Sequence, residues 1–222
     1  MTTGTTVLLV DDHAIMRDGV RSIIEHSESL AVVGECDNGW DAIELASRHV
    51  PDIVLMDIGM PGLNGVEATR KIQALKLRIA VIALSMYSDE RYVTRMLDAG
   101  ARGYLLKTCP GDELLRAIAA VLKGRLYVTA DLTHVLVDRF HSSGKRGTRT
   151  GTPPLDVLTP REREVLQLIA EGLTSKEIAA RIGAALKTVE SHRSNLIQKL
   201  DLHSIAELTK YAIREGLTGL MT

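Results

Sequence analysis

Apolar positions in the first half of the chain fall into five short runs: Val7–Val10, Ala31–Val33, Ile53–Met56, Ile79–Leu84 and Gly103–Leu106. Short apolar runs bounded by breakers predict strands buried on both faces of a parallel sheet. The third run is the sharpest, because Asp57 ends it and Gly59, Pro61 and Gly62 come at once after it. Between the runs the apolar period changes to that of helices. Ile15, Met16, Val20, Ile23 and Ile24 mark one helix, Trp40, Ile43 and Leu45 a second, and Leu114, Leu115, Ile118, Val121 and Leu122 the last. Asn64 with Glu67 opens another helix in capping-box form. Strands alternating with helices predict a doubly wound α/β domain with a five-stranded parallel sheet.

The second half carries only the helical period. Thr159, Pro160 and Glu162 open a helix whose buried face is Val165, Leu166, Leu168 and Ile169, and Gly172 ends it. Thr174 and Glu177 open the next, with Ile178, Ala179 and Ile182 inward and Gly183 at its end. A third helix runs from about Lys187 to Leu200, and Ser204 with Glu207 opens a fourth carrying Leu208, Tyr211, Ala212 and Ile213. Four short helices with a tight turn between the middle pair predict a small all-α helix-turn-helix domain.

Charge separates the halves. Residues 1–137 carry 18 acids against 14 bases, and residues 151–222 carry 9 of each. Between them, 142–154 has no apolar residue to bury and reads as a flexible basic linker. The expected layout is therefore a domain over 1–128, a connecting segment over 129–154 with a short helix near 131–140, and a second domain over 155–222. No apolar run approaches the roughly 18 residues that a membrane span requires. The N-terminus lacks the basic and apolar regions of a signal peptide. Cys36 and Cys109 are too few for a disulfide framework, so a reducing cytoplasm is expected. One Trp and one Phe in 222 residues argue against an aromatic platform for stacking bases.

The strand ends carry the chemistry. Asp57 alone is a nucleophile, a metal ligand, both, or an aspartate capping its own turn. With the other ends counted, Asp11, Asp12, Asp57, Ser85 and Lys107 gather at the carboxyl edge, where open α/β sheets place ligands. Three crowded carboxylates repel unless a hard cation sits among them, and oxygen-only donors favour magnesium. A lysine and a hydroxyl beside them suit phosphoryl oxygens. The arrangement reads as a site that accepts a phosphoryl group on a carboxylate. A nucleotide-binding loop after the first strand is disfavoured by Asp11 and Asp12. A haloacid-dehalogenase-type hydrolase lacks its second acid, since Gly59 stands there.

These residues, with Met60-Pro61-Gly62 and Tyr104, resemble the receiver domain of bacterial response regulators over residues 5–125. The resemblance implies a flavodoxin-like fold in which Asp57 accepts the phosphoryl group from a sensor histidine kinase. It implies magnesium held by Asp12, Asp57 and the backbone carbonyl of Gly59, with Asp11 acting partly through water. Lys107 would bridge Asp57 and its phosphoryl group, and Ser85 with Tyr104 would form a switch pair. From its residues alone, Tyr104 reads as a half-buried strand aromatic with a wet hydroxyl. Beyond phosphoryl acceptance and slow self-dephosphorylation, no enzymatic activity is implied.

On the third C-terminal helix, Val189, Leu196 and Leu200 share one face and should pack inward, leaving a short polar face opposite. Such a face fits a major groove about 12 Å wide. Glu190 could accept from cytosine, and Ser191, Ser194 and Asn195 could reach base edges. Lys187, Thr188, Arg193 and Lys199 are placed for phosphates. The pattern Leu158-Thr159-x-Arg161-Glu162-x-Glu164-Val165-Leu166, then Lys176-Glu177-Ile178-Ala179, then Lys187-Thr188-Val189-Glu190-x-His192, resembles the LuxR-type DNA-binding domain. A receiver followed by this domain is similar to NarL/FixJ-type response regulators. That resemblance implies a phosphorylation-controlled transcription factor binding paired half-sites as a dimer, with Leu208 and Ile213 at the dimer contact. Ala184 and Ala185 depart from the family's apolar residue and serine at the turn. The missing cap should cost about 1 kcal/mol and lower DNA affinity. The other readings are an interaction protein whose helical domain does not read DNA, and a regulator that is never phosphorylated.

Overall fold

The computed structural model describes residues 4–142 and 155–218, which form two compact units. The basic linker expected over 142–154 lies almost wholly outside the described residues.

The first unit runs β1 (Thr5–Val10), α1 (Ala14–Glu25), β2 (Leu30–Cys36), α2 (Gly39–His49), β3 (Ile53–Asp57), α3 (Gly65–Ala74), β4 (Ala80–Ser85), α4 (Glu90–Asp98), β5 (Gly103–Leu106), α5 (Gly111–Leu122), β6 (Tyr127–Val128) and α6 (Thr133–Ser142). All strands are parallel, in the order β2-β1-β3-β4-β5-β6. Every residue of β3 is buried, as its unbroken apolar run predicts for a strand covered on both faces. Two apolar layers result, one on each side of the sheet. In α2 the buried positions are Gly39, Ala42 and Ala46, with Trp40, Ile43 and Leu45 at the margin. Ile15, part of the apolar pattern of α1, is 87% exposed.

The sheet has six strands rather than the expected five. Two residues carry no periodic signal, and Tyr127 and Val128 become a strand only by pairing with Gly103 and Tyr104 on the β5 edge. The short helix expected near 131–140 forms as α6 (Thr133–Ser142), and the residues leading into it are packed on the first unit. Thr129 donates its N–H to the Tyr104 carbonyl at 3.0 Å. Leu132 and Val135 are buried in the layer that also holds Val93 and Met96 of α4. The connecting segment expected to begin at 129 is therefore, through residue 137, packed structure of the first unit.

Glycine is required where β3 hands over to α3. A Cβ at Gly65 would stand 2.0 Å from the Asp57 carbonyl oxygen, and the Gly65 N–H donates to Ile58 at 3.0 Å. The helix thereby starts directly against the strand end that presents Asp57.

The second unit contains α7 (Pro160–Ala170), α8 (Ser175–Arg181), α9 (Leu186–Leu200) and α10 (Ile205–Arg214). All three expected capping boxes form, at Thr159/Glu162, Thr174/Glu177 and Ser204/Glu207. Gly172 and Gly183 take left-handed φ values of 88° and 62° just past α7 and α8, where a Cβ would be strained. Ala185 caps α9 without a side-chain hydrogen bond. Val189, Leu196 and Leu200 are buried in the core that α9 shares with α7 and α8, as their spacing predicts.

Leu132→Ala tests the annexed segment. A residue of a solvated linker changes stability by about 0.5 kcal/mol or less. Truncating a buried leucine is expected to cost roughly 2–5 kcal/mol, read from the urea midpoint of the first unit.

Candidate functional site

The parallel sheet brings the ends of β1, β3, β4 and β5 to one edge, and the sequence-predicted groups meet there. The Lys107 ammonium lies 2.8 Å from Asp11 Oδ2 and 2.8 Å from Asp57 Oδ2. Its backbone N–H donates to the Ser85 carbonyl at 2.8 Å, fixing the end of β5 beside that of β4. Asp11 and Asp57 are buried, and Asp12 keeps a quarter of its side chain exposed. Asp57 Oδ1 accepts the Gly59 N–H at 3.3 Å. Gly59 itself is exposed at the rim.

One ammonium thus faces two buried carboxylates. Burial pushes the Asp57 carboxyl above its ordinary range, opposed by Lys107, whose charge it must share with Asp11. Burial works to lower the Lys107 ammonium, but Asp57 and Asp11 together outweigh it and hold it above the ordinary lysine range. Lys107 remains a cation. Asp11, Asp12 and Asp57 offer oxygens within 4.8 Å of one another, together with the imidazole of His13. Three carboxylates against one ammonium leave a net negative, oxygen-rich pocket, which fits a small hard divalent cation. His13 was not singled out from the sequence. Its only signal there is its place directly after the acidic pair, and its Nδ1 stands 2.8 Å from Asp12 Oδ1.

Ser85 and Tyr104 are joined through the backbone of Tyr87. The Tyr87 N–H donates to Ser85 Oγ at 2.9 Å, and the Tyr104 hydroxyl donates to the Tyr87 carbonyl at 2.8 Å. Tyr104 is fully buried, and burial pushes its hydroxyl well above the ordinary tyrosine range. The half-buried position with a wet hydroxyl is therefore corrected: the ring is inside, and its polar tip is satisfied by the β4–α4 loop. Tyr87 stacks on Tyr92 with centroids 4.7 Å apart, a pairing of loop and helix that the sequence did not announce.

On α9, Lys187, Thr188, Glu190, Ser191, Ser194 and Asn195 are exposed along one face, as expected. The hydroxyls of Ser191 and Ser194 donate back to the carbonyls of Lys187 and Glu190 at 2.9 and 3.1 Å. Other assignments on this unit change. The Arg193 guanidinium donates to Ser175 Oγ at 2.9 Å, tying α9 to the start of α8. The Lys199 ammonium is 2.7 Å from Glu162 Oε2, and the Glu162 side chain is 3% exposed. Lys199 is thus a clamp between α9 and α7 before it is a phosphate contact. Leu208 is 3% exposed within its own core, whereas Ile213 is half-buried.

Burial tends to raise the Glu162 carboxyl, but Lys199 and Thr159 outweigh it and hold it below the ordinary range. A depressed folded pKa stabilises the fold above the unfolded value of about 4.3, and that stability is lost as pH falls through the folded value. Lys199→Met is expected to cost about 1–3 kcal/mol at neutral pH. The difference from the parent should shrink on acidification, as followed by thermal melting across pH.

Comparison with known proteins agrees with this geometry. Residues 7–119 match the response regulator receiver domain, and residues 156–212 match the bacterial regulatory proteins of the luxR family. The oxygen regulatory protein NreC of Staphylococcus aureus is 39% identical over 212 residues, covering 95% of this chain and 98% of NreC. RcsB from Salmonella enterica serovar Typhimurium, solved bound to promoter P1flhDC with the phosphomimetic BeF3-, is 26% identical. It aligns over 97% of this chain and 100% of its own at a TM-score of 0.60. The receiver domain of the putative response regulator NarL from Mycobacterium tuberculosis is 35% identical over 55% of this chain and 98% of its own, with a TM-score of 0.54. A receiver over the first unit and a LuxR-type domain over the second are thus both matched, and the chain belongs to the NarL/FixJ-type two-component response regulators, transcription regulators that join a receiver to a LuxR-type DNA-binding domain.

Proposed function

We propose that Asp57 accepts a phosphoryl group from a sensor histidine kinase, and that the modified chain binds paired DNA half-sites as a dimer to control transcription. The observation that carries this reading is the Lys107 ammonium held 2.8 Å from both Asp57 and Asp11 at the sheet edge. An Asp57 oxygen attacks phosphorus, the bond to the donor nitrogen breaks, and the new acyl phosphate stays on Asp57. Lys107 then shifts its charge from carboxylate towards phosphoryl oxygen. Asp11, Asp12, Asp57 and the Gly59 carbonyl would hold magnesium, which supplies charge neutralisation for the transferring group.

Modification changes what the edge demands of its neighbours. Ser85 Oγ, which accepts the Tyr87 N–H, can donate to a phosphoryl oxygen. That movement draws on the loop whose carbonyl holds Tyr104. In the second unit, Glu190, Ser191, Ser194 and Asn195 are placed for base edges, and Lys187 and Thr188 for phosphates. Leu208 being core, the dimer contact falls to the outer side of α10, where Ile213 is half-buried and Ile205 is 57% exposed. Pairing of modified chains raises the local concentration of the second DNA-binding unit, which can improve overall affinity by roughly 10²–10⁴ without new DNA contacts. A relative solved on promoter DNA in the presence of a phosphomimetic supports the link between modification and DNA binding. A cytoplasmic location is part of the same proposal; among the described residues no helix is long and apolar enough to cross a membrane.

Asp57→Asn is expected to abolish acid-labile, magnesium-dependent labelling by a small phosphodonor. Undiminished labelling of that variant would overturn the assignment of the acceptor.

Ala185→Ser supplies the missing α9 cap. It should add about 0.5–2 kcal/mol to the stability of the second unit and tighten binding to a paired site, as measured by melting and by titration of labelled duplex.

A further inference from the structure

Cations on the first unit fall into two groups. Arg17 and Arg21 share Glu35 at 3.3 and 2.7 Å. Arg48, Arg70 and Arg91 each meet a carboxylate at 2.5–2.8 Å. Lys71 lies over the Trp40 ring, 4.8 Å from its centroid. By contrast Lys76, Arg78, Arg102, Lys123 and Arg125 are exposed, and none has an ion pair or side-chain hydrogen bond among the described residues.

These five share one place in the fold. Lys76 and Arg78 lie in the loop before β4, Arg102 in the loop before β5, and Lys123 and Arg125 in the loop before β6. Because β4, β5 and β6 are parallel neighbours, their amino ends lie side by side, spaced about 4.8 Å apart. The backbone stitches the loops together. The Arg102 N–H donates to Val81 at 2.7 Å, and the Tyr127 N–H donates to the Arg102 carbonyl at 3.1 Å. Of the nearby acids, Asp52 is taken up by the Thr6 amide and hydroxyl, both at 2.8 Å. Among the described residues, the uncommitted positive charge of this otherwise acidic unit thus lies on one pole, opposite the carboxylates of the phosphoacceptor edge.

We propose that this amino-end pole is a second DNA contact, which grips phosphates while the helix-turn-helix unit reads sequence. The contact presupposes the DNA-binding function proposed above. Three observations favour DNA as the occupant. Guanidinium and ammonium groups without protein partners complement a polyanion. Residues 151–222 carry 9 acids against 9 bases, so the reading unit has no charge surplus of its own. The acidic phosphoacceptor edge repels phosphate, so the charge asymmetry turns this pole towards DNA and leaves Asp57 open to its donor. Leu77 and Leu126 sit among the cations but are only 37% and 46% exposed, which makes charge rather than apolar insertion the main attraction.

The experiment compares the full chain with a fivefold variant, Lys76→Gln, Arg78→Gln, Arg102→Gln, Lys123→Gln and Arg125→Gln. An Arg48→Gln, Arg116→Gln chain serves as a control for loss of cations elsewhere. Binding to a random-sequence DNA duplex is measured against salt concentration, with thermal melting and phosphodonor labelling of Asp57 in parallel. The slope of log K against log salt is expected to fall by about 0.9 for each phosphate no longer gripped. Affinity should fall with it, while melting, labelling and the control chain stay unchanged. An unaltered slope in a fivefold variant that still binds duplex overturns the second contact and leaves the DNA-binding reading standing. Failure of the parent chain to bind any duplex overturns both. Vesicles of phosphatidylglycerol form the last arm: loss of vesicle binding with unchanged duplex binding reassigns the pole to a lipid surface and overturns the DNA contact.

Discussion

One buried ammonium set between two buried carboxylates is the constraint on which the first unit turns. Lys107 meets Asp11 and Asp57 at equal distance, and removing either side would leave a charge uncompensated in a place water scarcely reaches. The balance is incomplete, since Asp12 adds a third carboxylate that Lys107 does not neutralise. The edge therefore holds a negative surplus that a divalent cation can offset. The fold serves this arrangement closely: β3 is buried throughout, and Gly65 lets α3 start against the Asp57 carbonyl.

The same edge is wired to the rim of the sheet. Ser85 accepts the Tyr87 N–H and Tyr104 donates to the Tyr87 carbonyl, and the Tyr104 carbonyl in turn accepts the N–H of Thr129. Thr129 leads into Leu132 and Val135, which pack beside α4, and His134 approaches Glu90 of that helix at 3.3 Å. Tyr104, the β4–α4 loop and the first turns of α6 are consequently one packed body. A change in the loop at the phosphoacceptor edge must be accommodated by the segment that leaves the unit, because dense interiors transmit displacement rather than absorb it.

In the second unit, hydrogen bonds local to each helix start do most of the shaping. Three capping boxes satisfy amide groups that would otherwise be orphaned. Only α9, the helix that presents the polar face, lacks such a cap. Its position is instead held by longer-range bonds, Arg193 to Ser175 at its middle and Lys199 to Glu162 near its C-terminus. Cations that a helix drawn in isolation offers to DNA are partly spent on holding that helix in place.

The sequence by itself determined what depends on local period and strand order. The strands β1 to β5, the capped helices, the inward face of Val189, Leu196 and Leu200, and the gathering of Asp11, Asp12, Asp57, Ser85 and Lys107 at one edge all come from apolar spacing and parallel topology. Tertiary structure decided whatever depends on a partner distant in sequence. Tyr127 and Val128 are a strand only because β5 offers an open edge, and Leu132 and Val135 are core only because α4 lies over them. Tyr104 is buried because a carbonyl from another loop satisfies its hydroxyl. Lys199 faces Glu162 across 37 residues, and Leu208 turns inward on a helix whose exposed side could equally have carried it. A side chain's fate is settled by the group it meets, and for these residues that group is set by packing, which no local pattern encodes.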